Sequence, residues 1–228
     1  METRTLLERT LSATLSESFG KRVVVFFSGY DLLIFRERSK DGSADLEQLP
    51  TGRLSRKLLR LCRYRVGTEL QKRKSLVELD YLKTLQGTIV RGTTDRVRDN
   101  GSLIVLIRMD ELFRRREVSG ICPLKLQPQR ERGRYCIGDA WYFYVTRVSL
   151  ICLAGRERLC RVDVILSRTS RLLPELLLKM KSGSGDISCP RRIAGKISFV
   201  SSKQRLPREA IQAVSKELGE RVKVRWES

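Results

Sequence analysis

The spacing of apolar residues changes near Gln86 and again near Ser167, and these changes divide the chain into three segments of different fold type. Residues 3–82 mostly follow the period of an α-helix, residues 86–166 hold short alternating runs typical of β-strands, and residues 167–228 mix both patterns. A chain of 228 residues is long enough for one large domain or for two or three small ones. We therefore predict an α+β multidomain fold.

Residues 1–84 predict an N-terminal helix–hairpin–helix unit. The elements are a helix over residues 3–18, hairpin strands over 22–28 and 32–36, a linker or loop over 39–50 and a basic helix over 53–82. Gly67 leaves open whether the basic segment is one helix or two. Its lysines and arginines line either a solvated face or a face for an acidic partner or nucleic acid.

Residues 85–166 predict a five-stranded β-barrel of the OB type. Five short strands follow one another, with an Asp-Asn-Gly turn signal after the first and a basic loop between the third and the fourth. Over residues 140–145, alternation directs Trp141, Phe143 and Val145 into the barrel. The same alternation turns Tyr142 and Tyr144 outward.

Residues 167–228 predict an α+β module of the size of a KH domain. An apolar run over residues 172–180 predicts a helix, with Pro174 in its first turn. A Ser-Gly-Ser-Gly break, a strand over 196–200, a helix over 207–218 and a closing strand over 221–226 follow. Two helices with short strands on a small sheet are typical of such a module.

The charge of the chain favours binding to a polyanion over catalysis. Lysine and arginine number 46 against 26 aspartates and glutamates, the net charge is +20, and there is no histidine. A surface this basic is typical of proteins that bind nucleic acid, and the absence of histidine removes the commonest general base and metal ligand. No nucleotide-binding loop or nucleophile motif is present. We therefore expect no enzyme activity, no cofactor and no metal.

The same composition leads to expectations about compartment and cysteine chemistry. No apolar run has the length of a membrane span, and the N-terminal residues do not resemble a signal peptide, so we expect a cytoplasmic protein without a membrane partner. We also expect a monomer. None of the six cysteines forms a C-x-x-C pair. Small, reduced core residues are the main expectation, and disulfides or redox sensing remain the alternative.

Barrels of the OB type hold single strands on one face, with basic residues against phosphates and aromatic rings against bases. The candidate RNA-binding residues of the barrel are Arg114, Arg115, Arg116, Arg130, Arg132, Arg134, Tyr142 and Tyr144. Two alternatives stay open. The tyrosines pack under a neighbouring domain instead of stacking on bases, or the arginine clusters are merely solvated loops.

Five short sequence motifs occur along the chain in the same order as in a known protein family. They lie at residues 52–54, 86–90, 135–139, 166–169 and 212–219. In this order and at this spacing, they resemble the NusA family of bacterial transcription elongation, termination and antitermination factors. The resemblance covers residues 52–226 and implies an S-one-type barrel over 85–166 followed by a KH domain. It places a polymerase-binding head with a basic helix at 1–84, in which the helix–hairpin over residues 3–37 matches the family poorly.

The resemblance implies a factor that binds RNA polymerase and nascent single-stranded RNA, and that modulates pausing, termination or antitermination. The family's G-x-x-G loop is replaced by residues 205–208, Arg-Leu-Pro-Arg, so the KH module is degenerate. We expect it to contact phosphate through Lys203, Arg205 and Arg208 as point charges. Two other functions stay open: a free-standing RNA-binding protein or chaperone, and a competitor of full-length NusA that binds polymerase without RNA.

Overall fold

The computed structural model describes residues 2–40, 43–109, 116–152 and 160–226. Helices and sheets are both present, so the α+β class is confirmed. The chain divides into two compact units, residues 1–76 with 152–161 and residues 77–151 with 162–228. The barrel and the C-terminal module therefore belong to one unit. Over the described residues, no helix is long and apolar enough to cross a membrane.

The N-terminal unit is a three-stranded antiparallel meander with helices before and after it. Its elements are α1 (Glu2–Phe19), β1 (Val23–Ser28), β2 (Asp31–Lys40), β3 (Ser43–Leu49), a 3-10 helix (Thr51–Arg53) and the first part of α2 (Arg56–Lys83). Apolar side chains of both helices and of the sheet form its core, among them Leu15, Val25, Ile34 and Cys62. Helix α2 runs through Gly67 without a break, which settles the choice between one helix and two.

The loop expected over residues 39–50 is mostly a strand, and this prediction was wrong. Strand β3 pairs with β2 in antiparallel register, with Leu49 opposite Ile34. Leu49 is buried, and Arg36 on β2 donates a 3.0 Å hydrogen bond to Glu47 on β3. Polar composition suggested a loop, but cross-strand pairing and one buried leucine stabilise a strand there.

The middle of the chain forms a closed five-stranded barrel, and all five predicted strands are present. They are β4 (Ile89–Val97), β5 (Leu103–Met109), β6 (Arg116–Cys122), β7 (Ala140–Cys152) and β8 (Cys160–Ser167), with a 3-10 helix (Leu124–Leu126) after β6. The order of neighbours is β4-β5-β6-β8-β7, closed between β7 and β4. Strand β6 pairs parallel with β8, and β4 pairs antiparallel with β5 and β7.

The barrel core confirms the alternation expected for β7. Phe143 and Val145 are fully buried in it, and Trp141 packs against it. Gly120 allows β6 to approach β8, because a Cβ there would lie 2.7 Å from Cδ1 of Leu166. The end of α2 closes one side of this core through Leu82.

The C-terminal module places two helices on one face of a three-stranded sheet. Its elements are α3 (Leu172–Ser182), β9 (Ile187–Ile193), β10 (Ile197–Ser202), α4 (Arg208–Leu218) and β11 (Arg221–Trp226). The strand order is β11-β10-β9, with β11 parallel and β9 antiparallel to β10. Strand β9 was not predicted because it contains Pro190, which lacks an amide donor. A strand at the edge of a sheet tolerates proline.

Candidate nucleic-acid interface

Arg168, in the Leu-Ser-Arg-Thr segment after β8, is the central residue of the interface between the barrel and the C-terminal module. Its side chain is fully buried, and each of its hydrogen-bonding groups has a partner. Nε and Nη2 donate to the two carboxylate oxygens of Glu131 at 3.0 and 2.7 Å. Nη1 donates to the Tyr142 carbonyl and to Oε1 of Glu217, both at 3.0 Å. Nη2 also reaches the Glu217 carbonyl at 3.0 Å.

These five bonds use all five N–H groups of a guanidinium. The guanidinium carbon also lies 4.9 Å from the centroid of a Trp141 ring, within cation–π distance. Burial by itself lowers the pKa of Arg168, but the hydrogen bonds and charge of Glu131 hold it above its ordinary value. Arg168 is therefore a permanent cation that joins the barrel loop, strand β7 and helix α4. Sequence reasoning missed this role, although the motif containing Arg168 was noted.

The loop before β7 carries three of the predicted RNA-binding residues. Hydrogen bonds from Arg168 to Glu131 hold the middle of this loop in place. Glu131 points inward to Arg168 and accepts a hydrogen bond from the Tyr135 hydroxyl. Burial, followed by the charge of Glu131, raises the pKa of Tyr135, so the phenol stays a donor. The predicted residues on either side are all exposed: Arg130, Arg132 and Arg134. The loop therefore presents three arginines to solvent around one partly buried glutamate.

Tyr142 and Tyr144 are outside the barrel and are partly buried. Both rings pack against the apolar core of the C-terminal module, together with Ile89 of the neighbouring strand. The Tyr142 amide donates to Oε1 of Glu217 at 2.9 Å, and the Arg91 guanidinium carbon lies 5.9 Å from the Tyr142 ring centroid. This corrects the expectation of an exposed stacking pair. The alternative, packing under a neighbouring module, describes the contact because the module needs an apolar partner at this position.

The remaining predicted residues lie in different places. Arg114 and Arg115 lie outside the described residues, and Arg116 is the first residue of β6, opposite Met109. The predicted residues of the C-terminal module, Lys203, Arg205 and Arg208, are exposed at the turn from β10 into α4.

That turn contains no helix before α4. Leu206 anchors it by burying its side chain in the module core. Pro207 at the start of α4 provides no side-chain cap. The turn therefore offers charged side chains to an anion, without a glycine-rich backbone.

The basic loop of the barrel meets the β9–β10 turn of the C-terminal module. A Cβ added to Gly195 would lie 3.3 Å from Cβ of Pro128 and 3.7 Å from Cβ of Arg130. Gly195 has a φ of 74°, which L side chains rarely adopt, so glycine suits both the turn and the close approach. The barrel loop is thus held at the end of the C-terminal sheet where β10 begins, whereas Lys203, Arg205 and Arg208 follow the opposite end of β10.

A second buried ion pair holds that turn. Arg192 donates to the Glu220 carboxylate at 2.9 and 3.2 Å, and both side chains are almost fully buried. The Gly195 amide and the Ser198 hydroxyl donate to the same carboxylate at 2.8 and 2.5 Å. The two oxygens of the buried Glu220 carboxylate thus accept four hydrogen bonds, two from Arg192 and one each from Gly195 and Ser198, so none of its acceptor capacity is left unsatisfied.

The cysteines depart in part from the expectation of reduced core residues. Cys62, Cys122 and Cys189 are free and buried, as expected, whereas Cys136 is free and exposed. Burial raises the pKa of the Cys122 thiol to about 12 and that of Cys189 to about 11, so neither is a reactive thiolate at neutral pH. Cys152 and Cys160 form a disulfide across the ends of β7 and β8, which was the alternative. Within the described parts of the chain, no cluster of acidic and cysteine side chains could hold a metal ion.

No protein-family model matches the chain, and no curated protein matches it significantly.

Proposed function

We propose that this protein is a NusA-like transcription factor, which binds RNA polymerase and nascent single-stranded RNA and modulates pausing, termination or antitermination. It acts by binding and without a cofactor. The observation that carries the proposal is the order of its parts. A helix-and-sheet unit, a closed five-stranded barrel and a two-helix, three-stranded module follow one another as the resemblance implies.

The connectivity of the barrel supports an OB-type assignment. Strands β7, β4, β5 and β6 lie side by side in the order fourth, first, second, third, which is the Greek-key order. Strand β8 then closes the barrel between β6 and β7. Five-stranded Greek-key barrels of this kind bind single-stranded nucleic acids through one face and the adjoining loops.

The order of the C-terminal elements supports a KH-like assignment. Both helices cover one face of a three-stranded sheet, and residues 205–208, which the resemblance aligns with the family's G-x-x-G loop, lie between β10 and the body of α4. The Leu-Ser-Arg-Thr motif supports the resemblance in a further way. Its arginine joins the barrel to this module, which gives the motif a physical reason to stand between them.

The exposed arginines favour RNA as one partner. Arg130, Arg132 and Arg134 project from a fixed loop, and their charges are not neutralised by Glu131, which Arg168 already engages. Neighbouring like charges are unfavourable in the free protein, so a phosphate backbone is the partner that suits them. Contact between the N-terminal unit and RNA polymerase rests on the resemblance alone.

The test combines a polymerase-binding assay, a pausing assay on a defined template and a salt titration of RNA binding. We expect the protein to bind core polymerase and change pause lifetimes. If about six arginines contact phosphates, the logarithm of the RNA-binding constant falls with the logarithm of salt at a slope of about −4. The Arg130→Gln, Arg132→Gln, Arg134→Gln triple variant should reduce this slope by about 2.

The matched control carries the same change at three exposed cations of the N-terminal unit outside α2, Arg9, Lys21 and Arg22, and should keep the RNA slope. Failure both to bind polymerase and to change pausing would refute the proposal. RNA binding without polymerase binding would instead favour the free-standing RNA-binding protein or chaperone. Polymerase binding without RNA binding would favour the competitor of full-length NusA.

A further inference from the structure

The outer face of the C-terminal sheet carries an aromatic ring that no core uses. Alternation along β10 directs Ser198 and Val200 toward the helices, where both are buried, and so places Phe199 on the opposite face. Phe199 is partly exposed, and it belongs to none of the three apolar clusters of the described chain. This ring is therefore available to a ligand.

Strand β11 places a row of cations beside that ring. The parallel register sets Lys223 next to Phe199. Arg221 and Arg225 lie two residues to either side of Lys223, so they share its face of the sheet. All three are exposed, and successive members are about 6.6 Å apart, because a strand rises about 3.3 Å per residue. On the other side, Arg191 of β9 is opposite Phe199 and also exposed.

These cations have no anionic partner on the sheet. The three strands contain no aspartate or glutamate, and among the described residues none of the four cations forms an ion pair. The Lys223 ammonium nitrogen lies 5.9 Å from the Phe199 ring centroid. A ligand that stacks on the ring and carries a negative charge at its edge would satisfy both groups.

We propose that this outer face binds a segment of single-stranded RNA, with a base stacked on Phe199 and phosphates along the row Arg221, Lys223 and Arg225. The inference deepens the proposed function and rests on it, since it names the surface that holds the transcript. A single strand suits this face better than a duplex. Stacking needs an open base face, and a duplex covers its base faces internally.

The position of the barrel loop supports the same surface. Arg130 lies against Gly195, and the Arg221 amide donates to the Lys196 carbonyl at 3.0 Å in the same turn. Arg130 of the exposed loop therefore adjoins the end of the sheet at which the β11 row begins.

The test measures binding of a fluorescein-labelled 12-nucleotide uridine RNA by anisotropy at several salt concentrations. Phe199→Leu removes the ring but keeps an apolar side chain. We expect it to weaken binding roughly tenfold and to leave the salt slope unchanged. The pair Arg221→Gln with Arg225→Gln should lower the slope by about 1.4, since each lost phosphate contact removes about 0.7.

The matched control, Lys181→Gln with Lys216→Gln, removes two exposed charges from the helices and should keep the slope. Thermal melting checks that every variant is folded. An unchanged affinity for Phe199→Leu, or an equal loss in the control pair, overturns this assignment while leaving RNA binding itself intact. If the Phe199 or Arg221/Arg225 variants lose polymerase binding but keep RNA binding, the assignment of RNA to this face is also overturned, because the face would then contact a protein. No RNA binding by the unmodified protein refutes the RNA part of the proposed function as well.

Discussion

Replacing Arg168 by methionine should destabilise the barrel and C-terminal module more than any surface change. Methionine keeps much of the length of the side chain but removes five hydrogen bonds, and it leaves the carboxylates of Glu131 and Glu217 without their partner. Removing one member of a buried ion pair typically costs about 3–5 kcal/mol.

The structure favours the lower end of that range. The Glu131 and Glu217 side chains retain 15% and 24% of their exposure, so water can reach part of each carboxylate after the guanidinium is gone. We therefore expect the free energy of unfolding to fall by about 3 kcal/mol. Arg134→Met on the same loop is the control, and as an exposed change it should alter stability by less than about 0.5 kcal/mol.

The assay is urea unfolding followed by tryptophan fluorescence in a Trp226→Phe background. Trp141 is then the reporter, and it lies directly against the Arg168 guanidinium. Combining Arg168→Met with Glu131→Gln should cost less than the sum of the two single changes, since the neutral amide no longer needs the cation. Two outcomes would contradict the role of Arg168 as the central residue of this interface. One is a fall of less than about 1 kcal/mol in the free energy of unfolding of Arg168→Met, and the other is that the effects of Arg168→Met and Glu131→Gln simply add in the double variant.

Three smaller predictions follow from burial and backbone geometry. Without reductant, a thiol reagent should label only Cys136 in the native protein and four cysteines in the unfolded protein. Reduction before unfolding should raise the number of labelled cysteines to six, because it opens the Cys152–Cys160 disulfide. More than four labelled cysteines in the unfolded, unreduced protein would exclude the disulfide. Gly120→Ala should destabilise the barrel by about 1–3 kcal/mol in thermal or urea unfolding, because its Cβ would overlap a leucine of β8. Gly67→Ala in α2 should instead stabilise the protein by up to about 1 kcal/mol, since the new methyl group meets no atom within 4 Å and alanine favours the helix. If Gly120→Ala proved more stable than the unmodified protein and Gly67→Ala less stable, the close packing around Gly120 and the open space around Gly67 would both be contradicted.

The strands and helices that the sequence predicted are those whose own residues face a core. The alternation of apolar and polar residues identified all five barrel strands and the inward direction of Phe143 and Val145. A strand with one buried face needs that alternation within its own few residues, so the sequence shows it locally. Two strands were missed for a common reason. Strand β3 is mostly polar and β9 contains Pro190, so neither shows an unbroken apolar alternation. Pairing with a neighbouring strand stabilises both, together with a few buried side chains such as Leu49 and Cys189.

The candidate site was less predictable than the fold, and Arg168 shows why. Its partners Glu131 and Glu217 are 37 and 49 residues away along the chain, so nothing near the motif indicates that a cation there is buried. Exposed clusters such as Arg130, Arg132 and Arg134 were easier to place, because consecutive or alternating charges are tolerated only where solvent reaches them.

The sequence by itself determined the α+β class, the three differently patterned segments and the strong positive charge, since periodicity and composition act residue by residue. Only the tertiary structure decided which outward faces stay open. Tyr142 and Tyr144 alternate outward as the sequence predicts, yet the core of the C-terminal module packs against them. Phe199 alternates in the same way and is likewise partly exposed, but it belongs to none of the apolar clusters of the described residues. Alternation fixes the side of a strand that a residue occupies, whereas the packing of a second element against that side depends on residues far away in the chain.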